Sequence, residues 1–174
     1  MTDPPHRNEE DRLIAPDYYL RSVSDIDLEA LRSRGVDTLL VDLDNTLLPR
    51  DSGEVPESAR TWVRSLAAKR FKVCLVSNNW HERVSVVADE LGIDLVSKAV
   101  KPLPFAFLRA LRKIGSNRSR AAVVGDQLFT DVVGGKLLGM VTVMVLPLSE
   151  SDLPHTLALR HLERVLLAGR QPLP

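Results

Sequence analysis

Two carboxylates, Asp42 and Asp44, stand one residue apart where the apolar run Leu39-Leu-Val41 gives way to polar residues, and a hydroxyl follows at Thr46. In an extended chain, residues i and i+2 point to the same side, so the two acids share a site if strand geometry persists that far. Carboxylates this close repel each other unless a cation sits between them or a proton is shared. A hard cation with oxygen ligands, Mg2+ first, is the cofactor such a pair calls for. Acidic turn residues are common, however, so the pair gains meaning only from what the rest of the chain places beside it.

The elements that must do the placing are read from periodicity. Five short apolar runs, at 38–41, 73–76, 94–96, 121–124 and 141–146, read as strands. They are mostly continuously apolar, as in a parallel sheet covered by helices on both faces. Helical patterns lie between most of them: 56–71, opened by Pro56; 82–91, stopped by Gly92; 105–114, stopped by Gly115; and 128–138, stopped by Gly139. A further short helix is expected over 24–34, ahead of Gly35. The alternation predicts an α/β fold, a three-layer Rossmann-like arrangement around a parallel sheet of about five strands.

Open sheets of this kind bind ligands beyond the carboxyl ends of their strands. Strand one ends in Asp42-Leu-Asp-Asn-Thr46 and strand two in Ser77-Asn-Asn79; the third is followed by Lys98 and Lys101-Pro102, and the fourth by Gly125-Asp-Gln-Leu-Phe-Thr-Asp131. Each alone has a plainer explanation: Ser77 as a helix cap, Asp126 as a loop residue after Gly125, Asn45 as a turn residue tolerant of unusual dihedrals. Trp80 is expected to pack and His81 to open a solvated helix. Taken together and in this order, the four ends suit phosphoryl transfer through a covalent carboxyl phosphate, with a metal neutralising charge on the transferred oxygens.

With those residues in view, the sequence resembles the haloacid dehalogenase (HAD) superfamily of phosphatases, whose four motifs correspond to Asp42-Leu-Asp-Asn-Thr46, Ser77, Lys101 and Gly125-Asp-Gln-Leu-Phe-Thr-Asp131. The resemblance implies that Asp42 is the nucleophile and that Asp44 protonates the leaving oxygen and then activates water. It implies that Thr46 orients Asp44 or its turn. Ser77, the backbone at Asn78 and Lys101 would bind the phosphoryl group, with Lys101 preferred over Lys98 for its Lys-Pro context. Mg2+ would be held by Asp42, Asp126 and the backbone carbonyl of Asp44, with Asp131 acting through a water or by orienting the others. The glycine pair Gly134-Gly135 reads as close helix packing.

The stretches 43–76 and 78–100 are each mostly consumed by one helix and one strand, which leaves no room for the inserted cap domain common in this superfamily. An open site suits a bulky or surface-presented substrate. Pro16-Asp17 with Tyr19, the stretch 22–31, Ser77-Asn-Asn79, Lys98-Ala-Val-Lys-Pro102 and the fourth motif together resemble the YqeG-type branch of capless subfamily IIIA phosphatases. That branch is related to enzymes acting on phosphatidylglycerophosphate, so this lipid is the implied substrate. The alternatives are a soluble sugar phosphate or nucleotide, or a non-catalytic protein that binds a phosphorylated ligand. Many members carry a basic residue where this chain has Val100.

Composition sets the outer bounds. The 174 residues, 44% hydrophobic and 26% charged, suit a single globular domain over 13–174 behind a polar, proline-containing leader at 1–12. Lys plus Arg and Asp plus Glu are 23 each, which gives no global field toward nucleic acid. The lone Cys74 reads as a small buried residue in a reducing compartment. The chain lacks the ~18-residue apolar run of a membrane span and a secretion signal, so a cytoplasmic protein is expected. Apolar residues recur at helical spacing over 153–168, with Arg160, His161 and Arg164 largely on other faces. Such a helix either packs on the core or lies on an anionic membrane.

Overall fold

In the computed structural model, residues 14–149 and Pro172 are described. The apolar runs become a six-stranded sheet, wholly parallel, of β1 (Tyr18–Leu20), β2 (Thr38–Val41), β3 (Lys72–Val76), β4 (Asp94–Val96), β5 (Ala121–Gly125) and β6 (Val141–Val145) in the spatial order β1-β6-β5-β2-β3-β4. The helices are α1 (Leu28–Ser33), α2 (Glu57–Ala68), α3 (Glu82–Leu91), α4 (Pro104–Lys113) and α5 (Val133–Leu137). Strands β2 to β5 fall within a residue of their expected bounds.

Residue alternation along the strands explains why the runs are apolar throughout. Leu39 and Val41 of β2, Leu75 of β3 and Val124 of β5 face one side, packed with Leu31, Trp62, Leu66 and Val84. Leu40, Cys74, Val76 and Val123 face the other, packed with Phe107, Ala110 and Leu111 of α4. A strand buried on both faces has no polar register, and three layers result. Strands β3 and β4 lie on one side of β2, and β5, β6 and β1 on the other. The chain therefore changes direction at β2, and Asp42 follows directly on its last residue.

Four expectations need correcting. The sheet has a sixth strand, β1, at its edge; three residues with alternating burial carry too short an apolar signal to register. The helix expected over 24–34 is two pieces, a 3-10 turn at Val23–Asp25 and α1, because Asp27 Oδ1 accepts from the backbone N–H groups of Glu29 (3.0 Å) and Ala30 (2.9 Å) and restarts the helix there. The helix expected over 128–138 opens as a π-helical turn, Leu128–Val132, before α5. Trp80 does not pack either: it is 72% exposed.

Between Asp42 and Ser77 the only helix and strand are α2 and β3, and between Ser77 and Lys101 they are α3 and β4. No separate cap is inserted among the described residues. No helix among them is long and apolar enough to cross a membrane. The leader at 1–12 and the amphipathic stretch at 153–168 lie outside the described residues.

Candidate active site

Because β2, β3 and β5 are adjacent and parallel, their carboxyl ends bring Asp42, Ser77 and Asp126 to one edge of the sheet, and the loops after β4 and β5 add Lys101 and Asp131. Asp42 is still tied to the ladder, its N–H donating to Val124 O at 2.8 Å. Its Oδ1 accepts from Lys101 Nζ at 2.5 Å, and the same ammonium donates to Asp131 Oδ1 at 2.6 Å. Thr46 Oγ1 donates to Asp126 Oδ1 at 3.2 Å and to Asp42 Oδ2 at 3.4 Å, so this hydroxyl reaches those two acids rather than Asp44. Carboxylate oxygens of Asp42, Asp126 and Asp131 lie within 4.8 Å of one another, all three residues buried.

Asp44 stands slightly apart and less buried. Its Oδ2 accepts from Ser77 Oγ at 3.0 Å and its Oδ1 from Asn79 Nδ2 at 3.1 Å. Asn79 is the residue that sequence reasoning passed over. Its only signal was its place in Ser77-Asn-Asn79, two positions beyond the hydroxyl whose Oγ accepts from its N–H at 3.0 Å. The Asn78 side chain bridges loops instead: its Oδ1 accepts from the Lys101 N–H at 2.6 Å and its Nδ2 donates to the Lys101 carbonyl at 3.2 Å. Lys98, by contrast, is exposed, so burial separates the two lysines as the Lys-Pro context did.

Local backbone features serve these positions. Asn45 adopts a left-handed φ of 62°, and its Oδ1 accepts from Ser149 Oγ at 2.9 Å, which makes it a turn residue. Val100, immediately before the buried lysine, has φ 57°, a strained value for a β-branched residue. The π turn points Asp131 back toward the sheet, where its Oδ2 accepts from the Gln127 N–H at 3.2 Å. That carboxyl fills the space where Gly125 would carry a Cβ; the added atom would stand 2.3 Å from Asp131 Cγ. Gly134 and Gly135 play the expected packing role, against the Phe107 ring and the Thr142 methyl.

The buried charges of the site lie close enough to act strongly on one another. Burial first, then the Asp131, Asp126 and Asp44 carboxylates, push Asp42 well above the ordinary carboxylate range, against the opposing pull of Lys101. Burial alone would weaken the Lys101 ammonium, but Asp131 and Asp42 outweigh it and hold its pKa above the usual lysine value. Three clustered carboxylates against one ammonium leave unbalanced negative charge. An all-oxygen donor set of this kind fits a hard divalent cation, held by Asp42, Asp126 and Asp131. Cys74 is no rival nucleophile: burial pushes its thiol up to about 12.

Comparison with known proteins agrees with this geometry. The chain is 36% identical over 158 residues to the Bacillus subtilis (strain 168) protein named "Probable phosphatase YqeG", covering 91% of this chain and 92% of that one. It is 27% identical over 166 residues to the chloroplastic/mitochondrial phosphatidylglycerophosphate phosphatase 1 of Arabidopsis thaliana, covering 90% of this chain but only 48% of that protein. A solved HAD phosphatase from Thermococcus onnurineus shares the fold, with a TM-score of 0.50 at 23% identity over 58% of this chain and 51% of that one. The pattern described as haloacid dehalogenase-like hydrolase matches residues 18–139, from the edge strand to the end of the α5 turn, and the chain belongs to that family.

Proposed function

We propose that this hydrolase is a phosphomonoesterase that works through an aspartyl-phosphate on Asp42, with Mg2+ as cofactor and phosphatidylglycerophosphate as substrate. The observation that carries the chemistry is the buried Asp42 beyond the central strand, fixed by Lys101 at 2.5 Å beside Asp126 and Asp131. An Asp42 oxygen attacks phosphorus as the bond from phosphorus to the leaving oxygen breaks, and Asp44 gives that oxygen its proton. Asp44 then takes a proton from water, whose oxygen attacks the aspartyl-phosphate and frees inorganic phosphate and Asp42. Ser77, the Asn78 N–H and Lys101 bind the phosphoryl oxygens. Asp42, Asp126 and Asp131 would hold the divalent cation, which would offset negative charge on the phosphoryl oxygens.

The contacts of Asp44 support its part. Asn79 Nδ2 holds the carboxyl, joined by the Ser77 hydroxyl until that hydroxyl turns to the phosphoryl group, so Asp44 keeps the orientation a proton-transfer group requires. The lipid assignment is supported by the relative that carries that activity in its name, and by the absence of an inserted cap among the described residues, which suits a bulky headgroup.

The test is phosphate release from phosphatidylglycerophosphate in mixed micelles, with and without Mg2+, beside soluble phosphomonoesters at equal concentration. Wild type should prefer the lipid, and Asp42→Asn should lose turnover while keeping its fold by circular dichroism. Undiminished turnover in that variant would reject the nucleophile. Turnover of soluble esters alone would retain the phosphatase and reject the lipid.

A further inference from the structure

We infer that the rim formed by the loop after β4 and the first turns of α4, with Trp80 of the adjoining loop, is the face by which this chain docks on an anionic phospholipid surface. The inference rests on the phospholipid reading above and adds to it the surface that meets the membrane. Val100 is 63% exposed, Leu103 48% and Phe105 76%. With Lys98 and Arg109 they line an open groove of about 270 Å³. The loop that carries the exposed Trp80 adjoins it, because the Lys98 N–H donates to the carbonyl of Asn79, the residue before Trp80, at 3.2 Å. Single exposed apolar residues are ordinary, but a contiguous group rimmed by charge marks an interaction surface.

The core does not require these side chains to be apolar. Phe107, two positions beyond Phe105, is fully buried against the sheet, so α4 already has its packing aromatic. Val100 holds a left-handed φ of 57° with its side chain in solvent and Lys101, the next residue, buried in the site. The apolar rim is thus directly joined to the phosphate-binding loop.

Charge selects the occupant. Residues 95–113 contain no acid and five cations, of which Lys101 is buried in the site and Lys113 is paired with Asp94 at 3.1 Å. A second copy of the chain, meeting this face about a two-fold axis, would bring Lys98 and Arg109 against their own equivalents. Anionic headgroups neutralise them, while Trp80, Leu103 and Phe105 enter the boundary between headgroups and acyl chains. The site mouth then opens at headgroup level.

The two tryptophans give a readout independent of catalysis, since Trp62 is buried and Trp80 is exposed. Vesicles of mixed phosphatidylcholine and phosphatidylglycerol should shift the emission to the blue, and brominated acyl chains should quench it; Trp80→Phe should lose both effects. Phe105→Ser with Arg109→Glu should weaken vesicle binding about tenfold or more, while turnover of a soluble phosphomonoester stays at the wild-type rate. Pure phosphatidylcholine should bind far less. The inference is overturned if wild type ignores anionic vesicles while hydrolysing phosphomonoesters, a result that leaves the phosphatase standing. It is equally overturned if the double variant binds as wild type does, or if gel filtration shows a dimer that Phe105→Ser dissolves. If no phosphomonoester turns over, the vesicle results still decide the docking face.

Discussion

At the scale of single residues, the site is built by exclusion as much as by placement. Asp131 can approach Lys101 and Asp42 because Gly125 leaves the space beside it empty. Gly125→Ala adds one methyl group, which would stand 2.3 Å from Asp131 Cγ and must push that carboxyl away. Displacement of about 1 Å at a reacting centre costs roughly a hundredfold in rate. The variant should fold, because one methyl group at the last residue of β5 meets the Asp131 side chain rather than the apolar core, and kcat should drop on that order. Steady-state kinetics beside a thermal melt would check this, and a variant of normal kcat would remove Asp131 from the working site. Asp42, Ser77 and Asp126 stood out in the sequence because each directly follows an apolar run, whereas Lys101 and Asp131, farther from their strands, were singled out by the family resemblance. Asn79 was not, because an Asn after a Ser reads as turn chemistry until its amide is seen 3.1 Å from Asp44 Oδ1. The same limit applied to Thr46, whose partners Asp42 and Asp126 are chosen by the way its turn folds back.

At the scale of elements, long runs with both faces buried were easy to read and short edge pieces were not. Strand β1 is held by Tyr18 and Leu20 in the core and also by Asp17 just before it. The Asp17 carboxylate accepts from Thr142 N (2.8 Å), Thr142 Oγ1 (2.9 Å) and Lys136 Nζ (2.7 Å), joining the edge to β6 and α5. Three residues and a polar clamp to a distant strand leave no local period long enough to detect. The π turn escaped for a related reason: a single residue inserted into a helix leaves the apolar pattern nearly intact while rotating Asp131 inward. The clamp has a pH signature. Burial by itself raises the Asp17 pKa, but Lys136 and Thr142 together outweigh it and hold the value below the ordinary 3.8. Its stabilisation is therefore fully present above the unfolded-state pKa and is lost as pH falls through the lower folded-state value. Asp17→Ala should cost about 1–3 kcal/mol near neutral pH, since it strands a half-buried ammonium and a buried N–H. Urea melts at a series of pH values should show a constant gap between wild type and variant down to about pH 4, narrowing below it. A gap that widened in acid would contradict the clamp.

At the scale of the whole molecule, positive and negative side chains balance at 23 each, so no overall field draws ligands in and the local arrangement of charge must act. One buried imbalance is at the end of β2, where Asp42, Asp126 and Asp131 gather around the ammonium of Lys101. Repulsion among these acids costs stability, a local cost that the apolar core packing elsewhere does not carry. A divalent cation should relieve it. Binding at a hundred times the dissociation constant adds about 2.7 kcal/mol of stability, several degrees in melting temperature for a domain of this size. Because burial and its acidic neighbours raise the Asp42 pKa, cation binding must displace a proton at the lower end of the pH range, and affinity should rise with pH. Asp126→Asn separates the two effects: it removes one repelling charge and one ligand together. Without Mg2+ the variant should melt at or above the wild-type temperature, and with Mg2+ it should gain little where wild type gains several degrees. Calorimetric scans of both proteins, with chelator and with Mg2+, would decide. Equal Mg2+-induced gains in the two would show that Asp126 is not a ligand and that the acid cluster serves some other end.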